Sequence, residues 1–357
     1  MANRIFTRSP YNVAVTGTAN QLTTCELYIW NGSYSSTAPT TPTRTLSKPI
    51  PSSVVTTVNY NISPYLREYI SFTSPLTIYN TISPAPTAQF CNVKVKLYLA
   101  GVLQSTTTYV GLDGYGYYED NYNPTLSPYL LDEGTYYYYY DSNGSISDVD
   151  KNPGFLTIDT VSTWKVKYTN LVSGATVTVT PLTTVGDNLI SIYKVNPAYW
   201  ADGCKTEVLS ASNVVLATYY FKPIEECKYE VYNLHFINRY GAFQKEFLFK
   251  ASKQSIQTKN TDYNLMSSSY NYNQSNATNA VMNANGNESI RCNTGWVDEF
   301  FGTTTLKQIL LSERILLNDK PVKLKTKGVD VQKHINEKLI NYTLEFDYAY
   351  DIINNVI

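Results

Sequence analysis

A strict two-residue alternation constrains this chain more than any other feature, and it is clearest near the C-terminus. Ile340, Tyr342, Leu344, Phe346, Tyr348 and Tyr350 fall on one side of an extended backbone, with Asn341, Thr343, Glu345 and Asp347 on the other. Successive side chains of a strand point to opposite faces, so the pattern describes a half-buried antiparallel strand; a helix would scatter the same residues around its axis. The alternation recurs. Val93, Val95, Leu97 and Leu99 alternate with Asn92, Lys94 and Lys96, and Ala100-Gly101 then turns into a second run from Val102 to Val110. Trp164, Val166 and Tyr168 alternate with Thr163, Lys165, Lys167 and Thr169, and Val177 and Val179 resume the pattern after Ser173-Gly174. Short, evenly spaced runs of this kind predict a mainly β chain of two or three β-sandwich-like antiparallel domains with one or two short helices.

The helices are expected at two places. Ser63-Pro64 offers an N-cap and a first-turn proline for Tyr65 to Ile70. Thr305 and Gln308 have the spacing of a capping box ahead of Leu306, Ile309 and Leu310, which predicts a helix near 305–312. Asn318-Asp319, between Ile315–Leu317 and Val322–Leu324, reads as a hairpin turn. A chain of 357 residues is more than one core usually serves. Three blocks follow: 1–112, an N-terminal β-sandwich-like domain; 113–225, a Tyr-rich junction and second β domain; and 226–357, a C-terminal β domain. Residues 263–287 hold eight asparagines and no charge and read as a loop or arm, free or ordered on a neighbour.

Thirty-three tyrosines stand against two histidines. Chemistry near neutral pH most often recruits histidine, whereas tyrosine at this density suits strands and contact surfaces. The concentration from Tyr115 to Tyr140 is the unusual part. Tyr115, Tyr117, Tyr118, Tyr136, Tyr138 and Tyr140 are therefore read as a contact surface for assembly, with receptor or glycan binding second. Arg239, Tyr240, Gly241 and Phe243 read as a turn and packed corner.

Candidate chemistry is sparse. His235 lies in a strand-like run and His334 in a polar segment, and neither accompanies a GxSxG, HExxH or Walker-type motif. The acid pairs Glu119-Asp120, Asp132-Glu133 and Glu225-Glu226 are neighbours that point to opposite faces of a strand, so a tail-associated hydrolase is only a third reading. Asp141-Ser142-Asn143-Gly144 with Asp148 and Asp150 offers oxygen ligands, but its glycine falls at the fourth position instead of the sixth, and a hairpin turn explains it better than calcium. No catalytic, cofactor or metal residue is assigned. Five cysteines without a CxxC spacing read as free thiols. A net charge of −1 gives no long-range attraction to nucleic acid or an anionic surface. No stretch approaches a membrane span, and MANRIFTRSPYN lacks a signal-peptide core, so synthesis in a cytoplasm is expected.

Several segments carry a resemblance. Phe6–Val15 (FTRSPYNVAV), Leu22–Gly32 (LTTCELYIWNG) and Asn61–Ile70 (NISPYLREYI) at one end, Phe236–Phe249 (FINRYGAFQKEFLF) in the third block, and Leu306–Thr326 with Lys338–Tyr350 at the other end resemble virion structural proteins of tailed phages that infect Bacteroidota, including crAss-like phages. The match spans both ends and not the middle. It implies a β-rich component of the tail, neck or baseplate, present as a ring of copies in the virion. Partners would be other copies of the chain and other tail, neck or portal-proximal proteins, with a host surface glycan as an alternative. The group has no defined catalytic residues to carry over.

Overall fold

The computed structural model describes residues 3–32, 38–72, 82–84, 87–120, 129–140, 155–159, 164–180, 190–195, 197–264, 278–330 and 340–353. The Asp141–Asp150 candidate and His334 lie outside them. The protein is mainly β with short helices.

In the first third, β1 (Asn3–Phe6), β2 (Asn12–Thr16), β3 (Leu22–Trp30), β4 (Arg44–Pro49) and β5 (Thr57–Asn61) precede helix α1 (Ser63–Arg67) and strands β6 (Ile82–Pro84), β7 (Phe90–Leu99) and β8 (Val102–Leu112). The sheet order is β1-β8-β7-β3-β4, with β2-β5 as a separate pair. Val93, Val95 and Leu97 are buried as their alternation requires. Ala100 and Gly101 both take positive φ (48° and 81°), the geometry of a two-residue hairpin turn whose twist matches the strands.

The middle third supplies β9 (Gly134–Tyr139), β10 (Phe155–Asp159), β11 (Lys165–Asn170), β12 (Thr176–Val179), β13 (Ile190–Lys194), β14 (Cys204–Leu209) and β15 (Val215–Ile224). Five form the sheet β12-β11-β14-β15-β9. The others join β6 of the first third in the sheet β10-β13-β6, so a strand crosses the expected boundary at 112. Two pairings are parallel, β1 with β8 and β9 with β15; hydrophobic alternation says which face is buried, not which way the neighbour runs.

The last third contains β16 (Tyr232–Ile237), β17 (Phe243–Leu248), β18 (Lys253–Asn264), β19 (Asn279–Asn293), helix α2 (Leu306–Leu311), β20 (Ile315–Leu317), β21 (Lys320–Leu324) and β22 (Thr343–Asp351). They form one sheet, β17-β16-β20-β21-β22-β19-β18. Asn318 and Asp319 take the positive φ of the expected hairpin. Tyr342, Leu344, Phe346 and Tyr348 are buried, but Tyr350 is 45% exposed because the strand runs past the core.

Three expectations need correction. The Asn-rich segment 263–287 is not a loop throughout, because β18 includes Tyr263 and Asn264 and β19 begins at Asn279. Strand pairing draws on backbone groups, and here both faces are largely open, so no apolar alternation marks it. Helix α1 starts at Ser63 with Ile62, not Ser63, at the N-cap and no side-chain cap; Asn61 Oδ1, one residue earlier, accepts from the Ser63 N–H at 3.3 Å and the Tyr11 N–H at 3.2 Å. Thr305 caps nothing: helical backbone already starts at Glu299, passes through a π-helical turn at Phe301–Thr305 and continues as α2. Asp298 Oδ1 accepts from the Phe301 N–H at this start.

Each third has a core, but the cores interlock through β17 and the turn before it. Ile237 and Phe243 belong to the first core, and Phe247 and Phe249 to the second. A further cluster takes Phe6, Phe90, Val110 and Leu112 from the first third, Leu130, Ile190 and Ile192 from the second, and Tyr240 and Ala242 from the third.

Candidate functional site

The turn Asn238–Gly241 between β16 and β17 sits where the three thirds meet. Asn238 Oδ1 accepts from the Tyr240 and Ala242 N–H groups, and the Gly241 N–H donates to Asn238 O, so the turn is closed by its own first residue. Gly241 has φ +77°, and a Cβ there would lie 2.6 Å from Asp113 N. Across the contact, a Cβ on Gly114 would lie 2.6 Å from Arg239 O. Two glycines thus let two backbones touch, and the Tyr115 N–H donates to Arg239 O at 2.7 Å. The sequence reading of Gly241 as the permissive residue of a corner matches this geometry; Gly114 was not singled out.

Asp132 is the hub of the polar contacts. Its Oδ1 accepts from Tyr240 Oη at 2.7 Å and lies 3.0 Å from Arg239 Nη2, while Oδ2 accepts from Gln308 Nε2 at 2.6 Å. Gln308 Oε1 in turn accepts from the Arg239 N–H at 3.0 Å. Burial pulls the Arg239 pKa down, but Asp132 and Tyr240 outweigh it and hold the guanidinium charged. Burial first, and Asp132 second, raise the Tyr240 pKa, so its hydroxyl stays a donor. This explains the false capping box, since the Gln308 amide is spent on another third of the chain.

A second group lies alongside. Arg67 bridges Asp113 (3.3 Å) and Glu313, and Arg8 pairs with Glu313 at 3.4 Å and donates to Leu311 O at 3.1 Å. Burial raises the Asp113 pKa against the pull of Arg67 and Arg8. The Arg8 guanidinium stands 4.7 Å over the Tyr115 ring, and Lys307 Nζ stands 3.6 Å over Tyr117. Phe243 meets Phe72 edge-on at 5.2 Å, and both line a cavity of about 500 Å³ with Arg314, Leu316 and Val322.

The expected tyrosine surface divides. Tyr118 is fully exposed, Tyr117 and Tyr140 are half-buried, and Tyr115 is buried in the joint. Tyr136 and Tyr138 are core residues at 6% and 0% exposure, which removes them from any contact surface. They belong to β9, which has β15 on one side and β17 packed against it. Tyr136 stacks on Phe221 and donates to Asp132 O, and Tyr138 donates to Trp200 O.

Two buried titratable groups flank the joint on β16 and β17. Glu246 accepts from Gln244 Nε2 at 2.7 Å, and burial, opposed by that bond and aided by Asp298, pushes its pKa up to about 8. His235, opposite Lys245 in the β16–β17 register, is pushed down to about 3 by burial and then by that lysine, so it is neutral. Among the described residues no group of three His, Cys, Asp or Glu side chains is placed to hold a metal ion, and no helix is long and apolar enough to cross a membrane.

Sequence reading missed Arg8, Arg67, Gly114, Gln308 and Glu313 as members of one site, and it met Asp132 only as half of an acid pair. No local signal in the sequence joins them. No family model matches the chain, and no curated protein or solved structure does.

Proposed function

We propose that the protein is a noncatalytic structural component of a phage virion, forming a homo-oligomeric ring or connector in the tail, neck or baseplate and contacting unlike subunits. One observation carries this reading. The segments that resemble virion proteins are far apart in the chain, yet Arg8, Arg67, Arg239, Gln308 and Glu313 come together in one joint. Their charges and amides are engaged with one another and with backbone, which suits residues kept for architecture. Low charge and tyrosine-lined β layers suit broad subunit contacts as well.

The test is detection of the chain in purified particles together with sedimentation of the recombinant protein. The expected result is a stoichiometric virion band and a discrete oligomer; absence from particles overturns the proposal. Receptor or glycan binding is the second reading, favoured by the fully exposed ring of Tyr118. Its test is cell-surface binding that Tyr118→Ala abolishes.

A further inference from the structure

The open edges of the sheets are not equally protected. β1 and β17 bury the side chains described in them, and β9 buries Tyr136 and Tyr138 and half-buries the rest. β4 is exposed but carries Arg44, Lys48 and Pro49, residues that deter a further strand. β12 and β18 differ. From Leu171 to Thr180 there is no charged residue, and Leu171, Val172 and Val177 are exposed along this hairpin. All twelve residues of β18 are exposed. Ile256 is 63% exposed, and Tyr263, Val281 and Met282 add apolar surface to the β18–β19 ribbon.

The outer edge of β18 is also regular. The register of the ribbon shifts between Lys259↔Asn285 and Thr261↔Met282, so two residues of β19 oppose one of β18 and the bulge belongs to the inner strand. Asn283, at φ +54°, lies in it. A ribbon open on both faces has little beyond its ladder to hold it, and such two-stranded elements are marginal alone. Among the described residues no strand pairs with this edge, and an open edge of this kind is a template for another strand.

We propose that β18 of one copy adds as a further strand to the β12 edge of a second copy. Charge selects the acceptor. Lys253 and Lys259 of β18 would meet Arg44 and Lys48 on β4, and a two-fold pairing of β18 with itself centred on Ile256 would set Lys253 against Lys259, relieved only by a register that brings Asp262 opposite Lys253. On β12 they meet threonine and valine, and Val177 is available to Ile256. Because the two edges lie on different sheets, the contact is head-to-tail, and closure into a ring is what such a contact permits. The inference deepens the assembly reading and rests on it.

Ile256→Lys blocks the donor edge and Val177→Lys the acceptor, each at an exposed position, with circular dichroism as the check on folding. Sedimentation velocity should show the unmodified chain assembling and each variant weakened at least tenfold. An equimolar mixture of the two should form a dimer, since one intact donor and one intact acceptor remain. Undiminished assembly of either variant overturns the β18–β12 contact and leaves the assembly reading standing. Loss in both without complementation overturns the pairing of these two edges with each other, and loss in Ile256→Lys alone overturns it in favour of two-fold pairing of β18. An unmodified chain that stays monomeric at every concentration reached overturns both.

Discussion

At the scale of single residues, backbone conformation and backbone contact can be separated. Gly241 and Gly174 both have positive φ, +77° and +70°, but a Cβ on Gly174 meets nothing within 4 Å, whereas one on Gly241 strikes Asp113. Gly174→Ala should cost about 1 kcal/mol, the strain of a left-handed alanine. Gly241→Ala should cost about 3 kcal/mol or more, because two docked backbones must part; urea denaturation of the pair distinguishes the two terms. Glu246 predicts a pH dependence of definite sign. Its pKa is raised to about 8 in the folded protein, so between the ordinary carboxylate range and about 8 the folded state holds a proton that the unfolded state has released. Its stabilising contribution is complete below that window and is lost as pH rises through it. Glu246→Gln should flatten the loss, on the order of a few kcal/mol, in urea titrations at pH 5 and pH 8. His235 acts in the opposite direction, since a pKa lowered to about 3 costs stability as pH falls below about 6.5.

At the scale of elements, α1 shows how close a local reading can come. Ser63-Pro64 announces a helix start, and one is there, but the N-cap position falls to Ile62, and Asn61 Oδ1 ties the approach by accepting from the Ser63 and Tyr11 N–H groups. The Ser63 Oγ is buried without a hydrogen-bond partner among the described residues. Asn61→Ala should therefore cost about 1 kcal/mol, while Ser63→Ala should be neutral or slightly stabilising because it removes an unsatisfied hydroxyl; thermal melts of the two variants decide it. The β18–β19 ribbon shows the opposite limit. Nothing in its composition separates a strand from a loop, because neither face of β18 is buried and alternation has no meaning there. Val177 and Val179 make the same point, since alternation placed them on a strand while burial of β12 is slight.

At the scale of the whole molecule, the first two thirds share a sheet, and all three share an apolar cluster and meet at a small polar joint centred on Asp132, whose side chain is 16% exposed and accepts from three partners. Asp132→Ala leaves a largely buried Arg239 without its carboxylate and should cost about 3 kcal/mol. It should also split a single unfolding transition into two as the thirds uncouple, a result that calorimetry reads directly. The sequence by itself determined the strands and their buried faces at Val93–Leu97, Val166–Tyr168 and Tyr342–Tyr348, along with the turns at Ala100-Gly101 and Asn318-Asp319. These depend on the chemistry of adjacent residues, which the chain carries locally. The tertiary structure alone decided that Tyr136 and Tyr138 are core, that Gln308 serves Asp132 and caps nothing, and that Gly114 faces Gly241. Each depends on a partner scores of residues away, and an amide, a ring or a missing Cβ shows its use only against the group it meets.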